Sequence, residues 1–309
     1  MKINPLTSKT TKGPIPVAPR AITALVGLAS LFFVTPALGQ DRANLTADPF
    51  PELEVLLPRV AEHQKEVEKL LTQYTFTNKV TVYDLDKSGR VRSHHTDIYY
   101  LTPTPYEVFE LHIAHDGQPV PQSALEKQQH EIERKLQQYE KKEQKGDLHP
   151  KDAMLFADIL LKSKFTALRW EERDKKRLLV CAFEPKTAPA RQGDLSGRIA
   201  GDMKGTMWIS PEDAEIVRME FTGASPLSLG WGFLGNVKGF EGFVEQQKVH
   251  SEVWLPSHQE YVAYGRELIS GFRIRQVNDY TDYLKATTDV FQQIHAPTPS
   301  DTNISEAPK

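Results

Sequence analysis

The sequence predicts an α+β fold, mainly antiparallel β. Three observations carry this reading. Period-two alternation of apolar and polar residues recurs between Tyr74 and Leu284, short polar turns separate the alternating runs, and helical spacing is confined to about 51–72 and about 123–162. Strands joined by short turns pair antiparallel. The chain lacks the strand–helix–strand rhythm from which a parallel sheet is built.

The first segment is expected to be an export signal rather than part of the fold. Lys2, Lys9, Lys12 and Arg20 make a basic stretch without acidic residues. The apolar run 21–34, "AITALVGLASLFFV", comes next, and then small residues around Ala37 and Gly39. That order reads as a cleaved signal peptide over 1–39. The apolar run is short for a bilayer, which needs roughly 20 residues, and Pro36 interrupts it. No cysteine stands near the cleavage point, so no lipid attachment is expected there.

Removing the segment takes four of the 38 basic residues, so 34 face 41 acidic ones and the net charge becomes −7. A chain of that balance carries no basic footprint for nucleic acid. The one cysteine, Cys181, lies in the apolar run "RLLVCAFEP" and reads as a small buried hydrophobe. With no intramolecular disulfide to help, the fold depends on its core, and about 270 residues suffice for one.

Each element is read from its own period. Residues 51–71 read as helical beyond Pro58, with Val60, Val67, Leu70 and Leu71 near one face. From Tyr74 the period becomes two. Tyr74, Phe76, Val80 and Val82 share one face of a strand, and "DLDKSG" turns it. Strands over 90–101 and 106–114 come next. Residues 123–146 carry Leu125, Ile132, Leu136 and Tyr139 on one stripe among charges, an amphipathic helix. A second, more apolar helix lies in "KDAMLFADILLKSKF", and the two form an insertion over about 123–162.

From Phe165 the strands resume: a hairpin about 173–176, another about 210–214, and further strands to Leu284. The expected domain covers 40–290, and the Pro/Ser/Thr-rich tail 291–309 is expected to be disordered.

Several short motifs invite chemistry. Gly230, Gly232 and Gly235 in "LSLGWGFLGNVKGF" match G-x-G-x-x-G. A phosphate loop needs a strand before it and a helix after it. Here Pro226 interrupts the approach, Gly239 and Gly242 oppose a helix, and Trp231, Phe233 and Leu234 fill the space a phosphate would occupy. The glycines read instead as bends at a sheet edge.

Asp84, Asp86, Ser88 and Gly89 imitate a calcium loop, but His95 stands where a bidentate glutamate belongs, so a hairpin turn is expected. Among ten histidines, His112 and His115 with Asp116 cluster in "HIAHDG". A metal there would need a third clear ligand, so none is expected, and loop histidines are the reading. His94 and His95 are adjacent in a strand and face opposite sides. No G-x-S-x-G is present.

Two phrases, "GTMWISPEDAEIVRMEF" (205–221) and "VHSEVWLPSHQEYVAYG" (249–265), succeeded by "FRIRQVNDYTDY", resemble the LolA/LolB-like outer-membrane lipoprotein-sorting family, in a group of exported bacterial proteins. The resemblance is clearest over about 165–284 and weaker over 74–120. It implies a half-open, curved β-barrel with helices covering its concave side, and an apolar hollow that holds acyl chains. No family functional residue maps onto a position here.

The resulting expectation is an exported, periplasmic, monomeric protein, not an enzyme and without cofactor. Its partner is a lipid or lipoprotein acyl chain, bound in a hollow lined by Trp208, Trp231, Phe233, Phe240 and Trp254. The alternatives are an envelope assembly protein that contacts a partner protein through the charged insertion, and a periplasmic hydrolase using His112, His115 or Asp116.

Overall fold

The computed structural model describes residues 49–104, 107–146, 155–186, 202–223, 227–228, 236–267 and 270–285. Helix α1 (Leu53–Leu71) precedes β1 (Tyr74–Leu85), β2 (Val91–Pro103), β3 (Val108–His115) and the short β4 (Gln118–Pro119). Two helices come next, α2 (Gln122–Glu143) and α3 (Leu155–Lys162). The chain then forms β5 (Ser163–Arg173), β6 (Lys176–Pro185), β7 (Lys204–Ser210), β8 (Glu215–Gly223), β9 (Leu227–Ser228), β10 (Asn236–Val249), β11 (Val253–Glu267) and β12 (Ser270–Lys285). The expected signal segment and tail lie outside the described residues.

These strands join one antiparallel sheet in the order β4-β3-β2-β1-β12-β11-β10-β8-β7-β6-β5, with β9 added on β10. The first and last long strands pair, Tyr74 opposite Lys285, so two meanders become one sheet. β4 and β5 are free edges, so the described sheet is open. α2 and α3 lie in sequence between those two edge strands.

Turn chemistry explains the hairpins. Asp174 and Lys175 both take positive φ, 51° and 62°, in the two-residue turn between β5 and β6. That is the mirror-image turn whose twist suits a hairpin. In the β1–β2 turn the Asp86 carboxylate accepts from the Ser88 amide and hydroxyl and from the Arg90 amide. The Ser88 hydroxyl first, then the Arg90 amide, hold this carboxyl far below the usual range. The carboxylate is fully engaged as a turn former.

Helix α1 runs through Pro58 instead of starting after it. Proline withholds an N–H and crowds the carbonyl four residues back. Pro58 and Glu54 are exposed, while Leu56 and Val60 are buried and Leu53 and Leu57 pack beside them. Apolar burial of about 1.5–3 kcal/mol per large side chain therefore outweighs the lost bond.

One face of the sheet carries the main core. Leu179, Cys181 and Phe183 of β6 and Met207 and Ile209 of β7 meet Leu56, Val60 and Ala61 of α1 and Ile159 and Leu160 of α3. A second cluster at the far end of α1 joins Val67 to Tyr74, Phe76, Leu101, Leu255 and Tyr283. α2 stands apart, laying Ile132 and Leu136 on Phe109 and Leu111 of β3, with Leu125 and Tyr139 beside them. At one point the β8–β10 pairing is too close for a side chain: Phe240 sits opposite Gly223, and a Cβ there would run into its ring.

Candidate functional site

The seam between α1, α3 and the sheet holds the largest buried apolar cluster of the described residues. Its buried centre is fringed by half-buried side chains: Leu57 on α1, Phe156 on α3, Phe165 and Trp170 on β5, and Phe272 and Ile274 on β12. A bulge at Ala167/Arg169 shifts the alternation of β5, so Phe165 and Trp170, five residues apart, turn to the same side. Leu168, within the bulge, is exposed. Such a bulge re-aims side chains that strict alternation would separate.

A polar bolt crosses this apolar seam. Glu215 of β8 is fully buried. Its Oε1 accepts from Gln64 of α1, from Gln246 of β10 at 3.1 Å and from the Ile216 amide at 3.0 Å. His63, also on α1, places Nε2 3.0 Å from Oε2. A buried carboxylate is tolerated only when paired and hydrogen-bonded. The Glu215 hydrogen bond, opposed by desolvation and aided by the charges of Glu215, Asp213 and Glu66, holds His63 above its usual 6.5. The sequence reading assigned Glu215 no role; the signal that pointed to it was a charged residue at a strand start, directly before the apolar "IV".

Of the expected lining residues, the three described ones do not converge. Phe240 lies in the main core, fully buried beneath the helices. Trp208 packs with Leu178, Val180 and Val217 on the opposite face of the sheet, as alternation from Met207 and Leu179 requires. Trp254 alternates with Val253 and Leu255, which face α1, and so belongs to that other face as well. Both indoles are capped by cations: Lys176 Nζ lies 4.7 Å from the Trp254 ring and Arg218 Cζ 5.7 Å from Trp208.

A cleft of about 340 Å³ beside Trp254 is lined by charged groups, among them Arg173, Lys176, Glu245 and Lys248, together with Leu178 and Val217. Trp231 and Phe233 lie outside the described residues. The three glycines of the motif lie outside them too, but the described chain resumes at Asn236 as strand β10, with Gly239 and Gly242 inside it, and not as a helix. A phosphate loop is thereby excluded at this point.

The histidine motif gains a residue that the sequence did not connect to it. Asp97 of β2 stands beside His112 and His115 of β3, three potential ligand atoms within 4.8 Å of one another. Cys181 is fully buried and its thiol is pushed up to about 11 by burial, so it is no nucleophile.

No family model matches the sequence, and no curated protein matches it. Solved structures do. An outer-membrane lipoprotein-sorting protein domain from Vibrio parahaemolyticus is 12% identical, with 77% of this chain and 94% of that one covered at a TM-score of 0.32. The chain is similar to LolA-superfamily structures. One such protein from Nitrosomonas europaea is 12% identical, covering 77% of this chain and 94% of that chain at a TM-score of 0.27. A DUF1329 family protein from Desulfovibrio piger is 9% identical, covering 78% and 97% at 0.32. At these scores the likeness assigns no residue a role. Among the described residues no helix is long and apolar enough to cross a membrane.

Proposed function

We propose that this chain is an exported, non-catalytic binding protein whose cargo is a lipid or lipoprotein acyl chain, held between the sheet and helices α1 and α3. The observation that carries the reading is the fringe of half-buried apolar groups around the helix–sheet core, among them Phe156, Phe165, Trp170 and Phe272. A chain of CH₂ groups laid along that fringe gains about 0.8 kcal/mol for each group removed from water, without any polar chemistry. The expected lining is revised accordingly: Phe240 remains beneath the helices, while Trp208 and Trp254 belong to the opposite face and leave the binding surface.

The experiment is titration of delipidated protein with a fluorescent fatty acid, comparing the native chain with the double variant Phe165→Ala/Trp170→Ala. Saturable binding that the double variant weakens supports the seam. Saturable binding untouched by it moves the cargo elsewhere, and the lack of any saturable binding rejects the carrier reading.

A second reading has its own observation. α2 attaches to β3 by one apolar stripe and presents Glu126, Lys127, His130, Glu131 and Arg134 along an open outer surface. A mixed-charge helix face of this kind suits a protein partner in the envelope. Deleting 123–146 and finding an unchanged set of co-purifying proteins would reject it.

A further inference from the structure

We propose that Asp97, His112 and His115 form a binding site for a divalent transition-metal ion of the zinc class, with His95 as a fourth ligand. The site stands apart from the helix–sheet seam and does not depend on the acyl-chain reading.

The backbone assembles the cluster. His95 and Asp97 are two apart in β2 and share a face by strand alternation, while His94 turns away and stacks on Tyr83 with 5.6 Å between ring centroids. His112 and His115 are three apart in β3 and would fall on opposite faces of a regular strand. A bulge intervenes. Ile98 pairs with Ala114 but Tyr99 pairs with His112, so Ile113 is the extra residue and the alternation reverses across it. Both imidazoles thereby reach the face of Asp97, which lies opposite His115 in the ladder. Bulges that re-aim side chains are found beside functional sites more often than elsewhere.

The distances fit an ion. Asp97 Oδ1 lies 2.8 Å from His112 Nε2 and 2.7 Å from His115 Nδ1. His95 Nε2 lies 3.7 Å from Asp97 Oδ2, and the His95 and His115 ring centroids are 6.0 Å apart. Ligands held at about 2.0–2.1 Å around a tetrahedral zinc stand roughly 3.3 Å from one another, so small side-chain rotations open the space needed. His112 Nε2 also meets the Ala114 carbonyl oxygen at 2.8 Å, a contact that metal binding replaces. Imidazole with carboxylate suits zinc, copper and nickel better than calcium or magnesium.

The surroundings supply support and access. Asp116 is fixed by the Thr96 amide, which donates to Oδ1 at 2.8 Å, and its Oδ2 stands 3.5 Å from His115 Nε2. A carboxylate on the far nitrogen of a histidine is the arrangement that orients metal-bound imidazoles. Gln128 of α2 clamps the backbone of His112, accepting from its N–H at 3.0 Å and donating to its carbonyl at 3.2 Å. The Asp97 side chain is 13% exposed and that of His115 56%, so the carboxylate forms the floor and the entry lies over His115.

The test is calorimetric titration of metal-stripped protein with Zn²⁺ at about pH 7.5, above the ordinary histidine value. The native chain takes up one equivalent. Asp97→Asn and His112→Ala each abolish that uptake, Asp116→Asn weakens it by about tenfold, and His258→Ala, on β11, leaves it unchanged. The thermal transition of each stripped variant shows whether it folds. Should Asp97→Asn fail to fold, the half-exposed His115→Ala decides the matter. No saturable uptake by the native chain, or uptake retained in both ligand variants, overturns the proposal.

Discussion

His63 Nε2 on α1 lies 3.0 Å from Oε2 of Glu215 on β8, a carboxylate with no exposure to solvent. The helix is therefore fastened to the sheet by charge as well as by apolar contact. Because Glu215 holds His63 above its usual 6.5, the folded protein favours the protonated imidazole. The stabilisation is complete below the unfolded value and fades as pH rises through the raised folded one. Thermal transitions measured upward from about pH 6 are expected to fall in the native chain. In His63→Ala that decline is expected to shrink. An identical decline in both would place the pH dependence elsewhere.

Glu215 also satisfies two buried amides, those of Gln64 and Gln246. Glu215→Ala strands the Gln64 amide, at about 1–3 kcal/mol for an unpaired group, while Gln246 keeps the Ile216 carbonyl as an acceptor. Denaturant unfolding is expected to show a loss of that order. The double change Gln64→Leu/Glu215→Leu is expected to recover part of it, since matched apolar groups leave fewer donors stranded.

Gly223 faces the fully buried ring of Phe240 across β8 and β10. Gly223→Ala forces that ring from its place in a packed core. The expected cost is about 1–3 kcal/mol, read from the denaturant midpoint. Combining it with Phe240→Leu is expected to cost less than the sum of the two single changes.

Pro58 gives a prediction of opposite sign. It sits exposed inside α1 and withholds a helix hydrogen bond. A proline in a helix interior costs about 3 kcal/mol relative to alanine. Pro58→Ala is expected to raise the thermal transition. A lowered transition would mean that the bend at Pro58 helps seat Leu56 and Val60.

Much of the architecture was legible because burial repeats at the period of the backbone. Tyr74, Phe76 and Val80 alternate in the sequence and are buried in β1. Ile132 and Leu136 mark the stripe by which α2 meets β3. What failed was whatever a local period does not encode. The bulges at Ala167/Arg169 and Ile98/Tyr99 reverse alternation, so Trp170 joined the seam and His112 joined Asp97 without any local sign.

The aromatic residues were grouped by type, yet Trp208 and Trp254 sit one position from residues of the helix face and so point away from it. The pairing of Glu215 with His63 spans 152 positions, and no periodicity speaks at that range.

Native mass spectrometry of the chain, purified without detergent from a lysate that retains its membranes, tests the central claim most directly. The account predicts an added mass in the phospholipid or acyl range, diminished in Phe165→Ala/Trp170→Ala. A chain that carries only its own mass, from membranes rich in lipid, would contradict it.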